Sequence, residues 1–137
     1  MLFKMNMYRL RENRDMPVKT FISLVGTTLY EHRFGPFFVS PIVVGLEGDV
    51  PHICTYDYTG CQTDTEDFAV GGTAGENFYA LCEAYYHNNI NENEMGDIIG
   101  NIMVSGCDRD IMSGYGAVTY VLTPEKLEIK QLKTKLL

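Results

Sequence analysis

Asp110 and Ser113 lie three residues apart in the run 107–116, where a segment of helical periodicity passes into an alternating strand. A carboxylate and a hydroxyl at this spacing can orient an amine or another hydroxyl, and so form one wall of a site. They cannot supply an attacking group by themselves. Neither residue has a basic partner nearby in the sequence, and Ser113 lies outside the Gly-x-Ser-x-Gly turn that hydrolases use. The pattern therefore predicts a site wall without a nucleophile.

The first half of the chain contains elements that hydrophobic periodicity predicts. Residues 1–14 are typical of the later part of a helix, because apolar residues start in mid-pattern with no capping residue before them. Pro17 suits a first helical position, and the 3.6-residue period that follows predicts a helix over 17–33. Residues 37–46 and 52–58 are strand-like, and the loop between them favours an antiparallel hairpin.

The second half continues with strand, helix and hairpin patterns. Residues 68–72 predict a short strand that leads into a helix beginning at Thr73, because Thr73 and Glu76 have the spacing of a capping box. A second helix is predicted to begin at Asn91, with Glu94 three residues later. Residues 117–122 and 127–130 predict a hairpin around a turn at 123–125.

This order of elements predicts one α+β domain over residues 1–137, with room for one core but not for two domains. Helices are available for both faces of a largely antiparallel stack of sheets. A four-layer αββα sandwich accommodates that order. Periodicity alone permits a two-layer α+β fold equally well, so both arrangements stay open at this point.

Charge is distributed unevenly along the chain, which the net value of −7 conceals. Residues 34–108 contain twelve acids and no Lys or Arg, whereas the segments on either side are net positive. This distribution argues against nucleic acid as a partner. It fits either electrostatic pairing with neighbouring protein subunits or solubility alone.

The sequence also indicates a cellular compartment. No apolar stretch approaches the roughly 20 residues that cross a bilayer, and no secretory signal pattern opens the chain, so no membrane or secreted role is predicted. The cysteines lack metal-ligand spacing and fall in segments with the pattern of buried elements, which predicts reduced core thiols in the cytosol. They are Cys54, Cys61, Cys82 and Cys107.

The Arg-Phe-Gly-Pro segment at 33–36 and the Arg-Asp-x-x-Ser-Gly stretch that starts at Arg109 resemble the β subunits of the proteasome, which are N-terminal-nucleophile hydrolases. The Arg-Phe-Gly-Pro segment at 33–36, followed by two aromatic residues, is similar to the type-3 branch of that family. The Arg-Asp-x-x-Ser-Gly stretch that starts at Arg109 is shared widely across β subunits. The resemblance covers nearly the whole chain and corresponds to the C-terminal two-thirds of a β subunit. The resembling stretches are 6–8, 29–38, 60–61, 67–73, 82–83 and 108–116.

The resemblance implies a four-layer αββα sandwich, in which catalytic members use an N-terminal Thr as nucleophile and its amine as base. The family segment with that Thr, an early Asp and an early Lys precedes Met1, so no catalytic residue is assigned here. Asp110 and Ser113 match supporting residues of the family site, and Thr73 falls where active members have another Ser. The three are therefore expected to be the remnant of a supporting site. Alternatively, Thr73 caps a helix while Asp110 and Ser113 satisfy backbone amides.

The resemblance also implies that a cation can bind to the backbone carbonyls of Cys107, Asp110 and Ser113. Hard oxygen ligands suit magnesium or sodium, and an ordered water is the alternative occupant. No cofactor is required by this interpretation.

The function expected from the resemblance is that of a non-catalytic structural subunit of the 20S proteasome β ring, within the threonine-type endopeptidase complex of ubiquitin-dependent protein degradation. Its expected partners are other β subunits and α-ring subunits, and its expected location is the cytoplasm and the nucleus. The chain is expected to be oligomeric, because sheet faces that lack their cover adhere to one another. Two alternatives remain: a threonine endopeptidase whose N-terminal Thr lies upstream, and a stand-alone acidic protein-binding module.

Overall fold

Two helices precede a three-stranded antiparallel sheet, and two further helices precede a two-stranded antiparallel sheet, which confirms the α+β class. The computed structural model describes residues 1–134, and the chain divides into two compact units, Met1–Glu66 and Asp67–Leu137. The prediction of a single domain over 1–137 stays a prediction. The elements are α1 (Leu2–Glu12), α2 (Val18–Glu31), β1 (Ile42–Glu47), β2 (Val50–Tyr56), β3 (Gln62–Thr65), α3 (Gly75–Tyr85), α4 (Glu92–Cys107), β4 (Ala117–Leu122) and β5 (Leu127–Leu132).

In the first unit, α2 packs on an antiparallel sheet of order β1-β2-β3. The helical period predicted for this segment is confirmed, since Ile22, Val25 and Leu29 are the buried residues of α2. They form the core with Cys54 and Tyr56 of β2. The Tyr56 hydroxyl donates a hydrogen bond of 2.6 Å to the Ile22 carbonyl, which satisfies the one polar atom that this ring brings into the core.

The hairpin of the first unit is confirmed, but its strands differ from the prediction. β1 begins only at Ile42, because residues 37–41 follow one proline and end in another, and proline cannot donate to a ladder. Glu47 pairs with Val50, so the turn has two residues rather than five. Gly48, at φ 64°, supplies the positive φ that such a turn requires.

Strand β3 was not predicted, because its sequence, Gln-Thr-Asp-Thr, has no apolar alternation. It forms through backbone pairing with β2, as an edge strand. The turn before it is organised by Asp57, whose Oδ1 accepts hydrogen bonds from the Thr59 amide and hydroxyl and from the Cys61 amide at 2.8–2.9 Å. The hydrogen bond from the Cys61 amide, followed by that from the Thr59 hydroxyl, lowers the pKa of Asp57.

In the second unit, α4 packs on the β4-β5 hairpin, whose predicted turn is confirmed by the pairing of Leu122 with Leu127. The start of α4 is also confirmed, because the Asn91 side chain accepts a hydrogen bond of 2.9 Å from the Glu94 amide. Thr119 of β4 is buried, whereas Tyr120 is exposed. The hairpin therefore has one buried and one open face.

The prediction for residues 68–73 is wrong in two respects. Residues 68–72 form no strand, and the ring of Phe68 instead packs on Tyr79 and Tyr86, with centroid distances of 5.4 and 5.7 Å. Thr73 does not cap α3, which begins at Gly75 after Ala74 without a side-chain cap. The Thr73 hydroxyl has a different partner, described below.

Three of the four cysteines are buried, as predicted, but Cys61 is exposed in the turn before β3. No disulfide joins cysteines among residues 1–134. Burial raises the pKa of the Cys54 and Cys82 thiols, which keeps both in the neutral form. Within the part of the chain that the structure describes, no helix has the length and apolar character that a membrane crossing requires.

His87, between α3 and α4, should make the stability of the chain depend on pH. Its Nδ1 lies 3.1 Å from the Asn88 carbonyl and its Nε2 lies 3.1 Å from Glu94 Oε1. Hydrogen bonding to Asn88, and then to Glu94, raises the pKa of His87 above its ordinary value of 6.5. The protonated His87 ring therefore stabilises the folded state. This contribution is fully present below pH 6.5 and is lost as the pH rises through the higher pKa that His87 has in the folded state.

We therefore expect His87→Gln to lower the melting temperature more at about pH 5.5 than at about pH 8.5. The effect should be small, because the ring is exposed. Circular dichroism melts of both proteins would measure it. Glu94→Gln should reduce the same pH dependence, and a difference between wild type and His87→Gln that is independent of pH would contradict the prediction.

Candidate functional site

The structure brings the three predicted side chains together in the second unit. Asp110 Oδ2 accepts hydrogen bonds from Thr73 Oγ1 and from Ser113 Oγ, each 2.6 Å long. Thr73 precedes α3, whereas Asp110 and Ser113 lie in the turn between α4 and β4. Asp110 and Ser113 are half-buried and Thr73 is exposed, so the cluster lies at the surface of its unit.

Short-range turns place Asp110 and Ser113 after the last turn of α4. The Asp110 amide donates to the Cys107 carbonyl at 3.3 Å, and the Ser113 amide donates to the Asp110 carbonyl at 3.4 Å. Tyr115, at φ 59°, and Gly116, at φ 116°, then redirect the chain into β4. Backbone hydrogen bonds in the run 107–116 thus fix Asp110 and Ser113 just after the end of α4.

The sequence left open that Asp110 satisfies backbone amides without identifying one, and the structure shows that the Met112 amide is part of this cluster. That amide donates to Asp110 Oδ1 at 3.2 Å, so both oxygens of the carboxylate accept hydrogen bonds. An Asp that accepts from the amide two residues later is a common turn arrangement, and the Asp-x-x-Ser-Gly composition was the available signal for it. Asp110 therefore joins the segment before α3 to the turn after α4.

The chemistry of the cluster follows from what the two hydroxyls contact. Within residues 1–134, neither the Thr73 nor the Ser113 hydroxyl is hydrogen-bonded to an imidazole or an amine, the groups that activate an attacking oxygen. Both donate to the same carboxylate oxygen. Such an arrangement can orient a group and hold two segments together, which is what the sequence pattern of a site wall predicts.

The backbone carbonyls predicted to hold a cation belong to the same turn. Those of Cys107 and Asp110 each accept a long hydrogen bond, and a carbonyl oxygen has a second lone pair. No group of three or more His, Cys, Asp or Glu side chains in the described part of the chain is placed to hold a metal. A cation here would depend on backbone oxygens, and its binding stays a prediction.

We expect Asp110→Asn to lower the free energy of unfolding by about 2 kcal/mol, the typical magnitude for hydrogen bonds to a charged group. The amide can keep one acceptor oxygen, but its NH2 group cannot accept from a hydroxyl or from the Met112 amide. Urea denaturation at neutral pH, followed by circular dichroism, would measure the change.

Asp97→Asn is the matched control, because Asp97 is an exposed carboxylate on α4. Asp97→Asn should change the free energy of unfolding by no more than about 0.5 kcal/mol, as most surface substitutions do. Equal losses for the two variants would show that the cluster around Asp110 contributes nothing to stability.

Comparison with known proteins gives a consistent result. The model of the family described as "Proteasome subunit" matches residues 1–122. "Proteasome subunit beta type-3" of Drosophila melanogaster is 38% identical over 99% of this chain and 67% of its own length. "Probable proteasome subunit beta type-3" of Schizosaccharomyces pombe is 44% identical over 95% of this chain and 64% of its own length.

A third relative, "Proteasome subunit beta type-3" of Saccharomyces cerevisiae, is 36% identical over 97% of this chain and 66% of its own length. The chain spans about two thirds of the length of these curated relatives. The resemblance to the type-3 branch is confirmed by their names. Because the family model matches most of the chain and these relatives are 36–44% identical to it, the chain belongs to the proteasome subunit family.

Proposed function

We propose that this chain acts as a non-catalytic structural subunit of the 20S proteasome β ring, within the threonine-type endopeptidase complex of ubiquitin-dependent protein degradation. The observation that carries the proposal is its identity of 36–44% to β type-3 subunits over almost its whole length. The arrangement around Asp110 supports a structural role for this cluster, because both hydroxyls donate to the same carboxylate and so join two segments of the second unit.

Within this proposal, the Asp110 cluster stabilises the fold. In a catalytic relative, a carboxylate and hydroxyls beside an N-terminal Thr would orient its amine and hydroxyl. Here the same residue types join Thr73 to the turn at 110–113 through short hydrogen bonds. A cation bound at the carbonyls of Cys107, Asp110 and Ser113, magnesium or sodium by ligand type, would add a local positive charge to that turn.

The proposal includes a four-layer αββα sandwich as the complete arrangement. Each unit, taken by itself, is a helix layer over one face of a sheet, and an open sheet face needs a cover. In the second unit, the uncovered face of the hairpin presents Tyr120 and Ile129, which are 64% and 56% exposed. In the first unit, Val44 is 61% exposed on the face of β1 opposite to Val43, which packs on the core. Apolar faces of this kind support packing of sheet on sheet.

The proposed partners are other proteasome subunits, specifically neighbouring β subunits and subunits of the α ring, in the cytoplasm and the nucleus. The distribution of charge supports assembly with proteins, because residues 34–108 contain twelve Asp and Glu residues and no Lys or Arg, whereas residues 1–33 are net positive. Complementary patches of this kind set the orientation and the rate of association between subunits.

The test is affinity purification of 20S particles through a tag on this chain, followed by quantitative mass spectrometry. We expect the chain in constant ratio to the other subunits. A covalent probe that modifies N-terminal threonines should label catalytic β subunits in the same particles but leave this chain unlabelled. The labelled subunits serve as the internal control.

Each alternative function predicts a different result. Absence of the chain from the particles would overturn the proposal. A covalent adduct on the chain itself would indicate an active threonine peptidase. A stable monomer in analytical ultracentrifugation, with no association with proteasome subunits, would indicate a stand-alone binding module.

A further inference from the structure

Residues 30–38, which we call the aromatic turn, present aromatic side chains to solvent at the end of α2. Phe34 and Phe38 are 90% and 86% exposed, the highest values for large apolar side chains among residues 1–134. Tyr30 and Phe37 are also more than half exposed. A single exposed apolar residue is ordinary, but four aromatic rings within nine residues form a patch of the kind that marks an interaction site.

Arg33 is held between two of these rings. Its Cζ lies 4.1 Å from the centroid of Tyr30 and 4.6 Å from that of Phe34, and its Nη1 donates a hydrogen bond of 2.9 Å to the Tyr30 carbonyl. Guanidinium groups stack on aromatic faces in this way. The side chain is therefore oriented before any partner binds.

The positive charge of Arg33 lacks a carboxylate partner within the described residues. Arg33 forms no ion pair with any of these residues. The nearby Glu31 pairs with Lys4 instead, with 3.9 Å between Glu31 Oε2 and Lys4 Nζ. A guanidinium has five N–H donors, and it binds carboxylates with two parallel hydrogen bonds. An Asp or Glu side chain would therefore complete the hydrogen bonding of Arg33.

The backbone of the aromatic turn is also ordered. Successive hydrogen bonds join the His32 amide to the Leu29 carbonyl, the Arg33 amide to the Tyr30 carbonyl and the Gly35 amide to the His32 carbonyl, at 2.9–3.2 Å. The His32 ring packs on the Phe37 ring with a centroid distance of 4.5 Å. A surface ordered before binding loses less conformational entropy when it binds.

We propose that the aromatic turn docks a segment of a neighbouring proteasome subunit that carries an exposed carboxylate flanked by apolar side chains. Arg33 binds the carboxylate, and Phe34 and Phe38 cover the apolar side chains. Aromatic residues and Arg are the types enriched where binding energy concentrates in interfaces. Residues 1–33, which end in the aromatic turn, are net positive, and a positive segment favours association with an acidic partner. The inference rests on the proposed function, since it names a contact through which the subunit would join the ring.

The first experiment compares the incorporation of tagged variants into 20S particles. We expect Arg33→Glu to reduce incorporation roughly tenfold or more, and Arg33→Lys to have an intermediate effect because it keeps the charge but loses the two-point geometry. Lys19→Glu is the matched control, because it reverses an exposed positive charge on α2, the helix before the aromatic turn, at a position without stacked rings. Its incorporation should stay near that of the wild type. Equal incorporation of Arg33→Glu and Lys19→Glu would overturn the proposal.

A second measurement does not depend on the folding of a charge-reversed variant. A photo-crosslinking residue, Phe34→p-benzoylphenylalanine, replaces a side chain that is almost fully exposed, so the fold should be unchanged. We expect a cross-link to another proteasome subunit, within a few residues of an Asp or Glu. Reversing the charge of that acid should restore the incorporation of Arg33→Glu. A cross-link only within this chain or to a second copy of it, or no cross-link, would overturn the proposal.

The two proposals fail in distinguishable ways. If the wild-type chain is absent from 20S particles, the proposed function itself fails. If the wild type is incorporated and every variant of the aromatic turn is incorporated equally well, only the docking surface is overturned.

Discussion

Gly60→Ala is expected to lower the free energy of unfolding by about 3 kcal/mol, which combines the cost of a left-handed alanine with that of overpacking. Gly60 has a φ of 87° in the turn before β3. A Cβ atom there would lie 2.5 Å from the Gly26 carbonyl oxygen and 2.9 Å from the Tyr30 amide nitrogen, both in the backbone of α2. Backbone atoms of a packed helix cannot move away as a flexible side chain can. Urea denaturation followed by circular dichroism would measure the loss.

Gly48→Ala separates the two causes. Gly48 also has a positive φ, of 64°, but an added Cβ would meet no atom within 4 Å. Its substitution should cost only the conformational part, about 1 kcal/mol. If the two variants lose the same stability, the close approach of the turn to α2 is not a constraint on this fold.

Gly106→Ala should have an effect of similar size, about 3 kcal/mol, through the packing of α3 on α4. Gly106 is buried in α4, and a Cβ there would overlap the Cδ1 and Cε1 atoms of the Phe78 ring on α3. To remove this overlap, the Phe78 ring or one of the two helices would have to shift. Because Asp110 follows α4 directly and Thr73 precedes α3, a shift should also lengthen the hydrogen bond between them.

Gly100→Ala is the control within the same helix. Its Cβ would meet only Leu132 Cδ1, at an ordinary contact distance of 3.5 Å. Alanine favours a helix over glycine by up to about 1 kcal/mol, so this variant should be as stable as the wild type or more so. A loss of stability for Gly100→Ala equal to that for Gly106→Ala would contradict the role assigned to the Phe78 contact.

The candidate site could be predicted in its residue types but not in its contacts. The spacing of Asp110 and Ser113 indicates a turn with two oxygen side chains, and the Met112 amide joins it through a local hydrogen bond. Thr73 is 37 residues away from Asp110, and its sequence context favoured a helix cap. A hydroxyl bond to a carboxylate is stronger than one to a helix amide, but local pattern cannot show that a carboxylate 37 residues away comes within reach.

The docking surface illustrates the same limit. The aromatic residues of 30–38 are visible in the sequence, and the pattern there predicts only that a helix ends. Arg33 lies between the rings of Tyr30 and Phe34. This position depends on the direction in which the last turn of α2 points each side chain and on the backbone turns that follow the helix. Exposure of Phe34 and Phe38 is likewise a property of the folded surface.

The sequence by itself determined the α2 helix, the Asn91 start of α4 and the β4-β5 hairpin, because hydrophobic period, caps and turn residues act over a few neighbouring positions. It also determined the family, through motifs spread along the chain. Tertiary structure alone decided that Phe68 packs on aromatic rings, that β3 forms as an edge strand and that Thr73 binds Asp110. These outcomes depend on partners far away in the sequence, and their energies are comparable to those of the local alternatives.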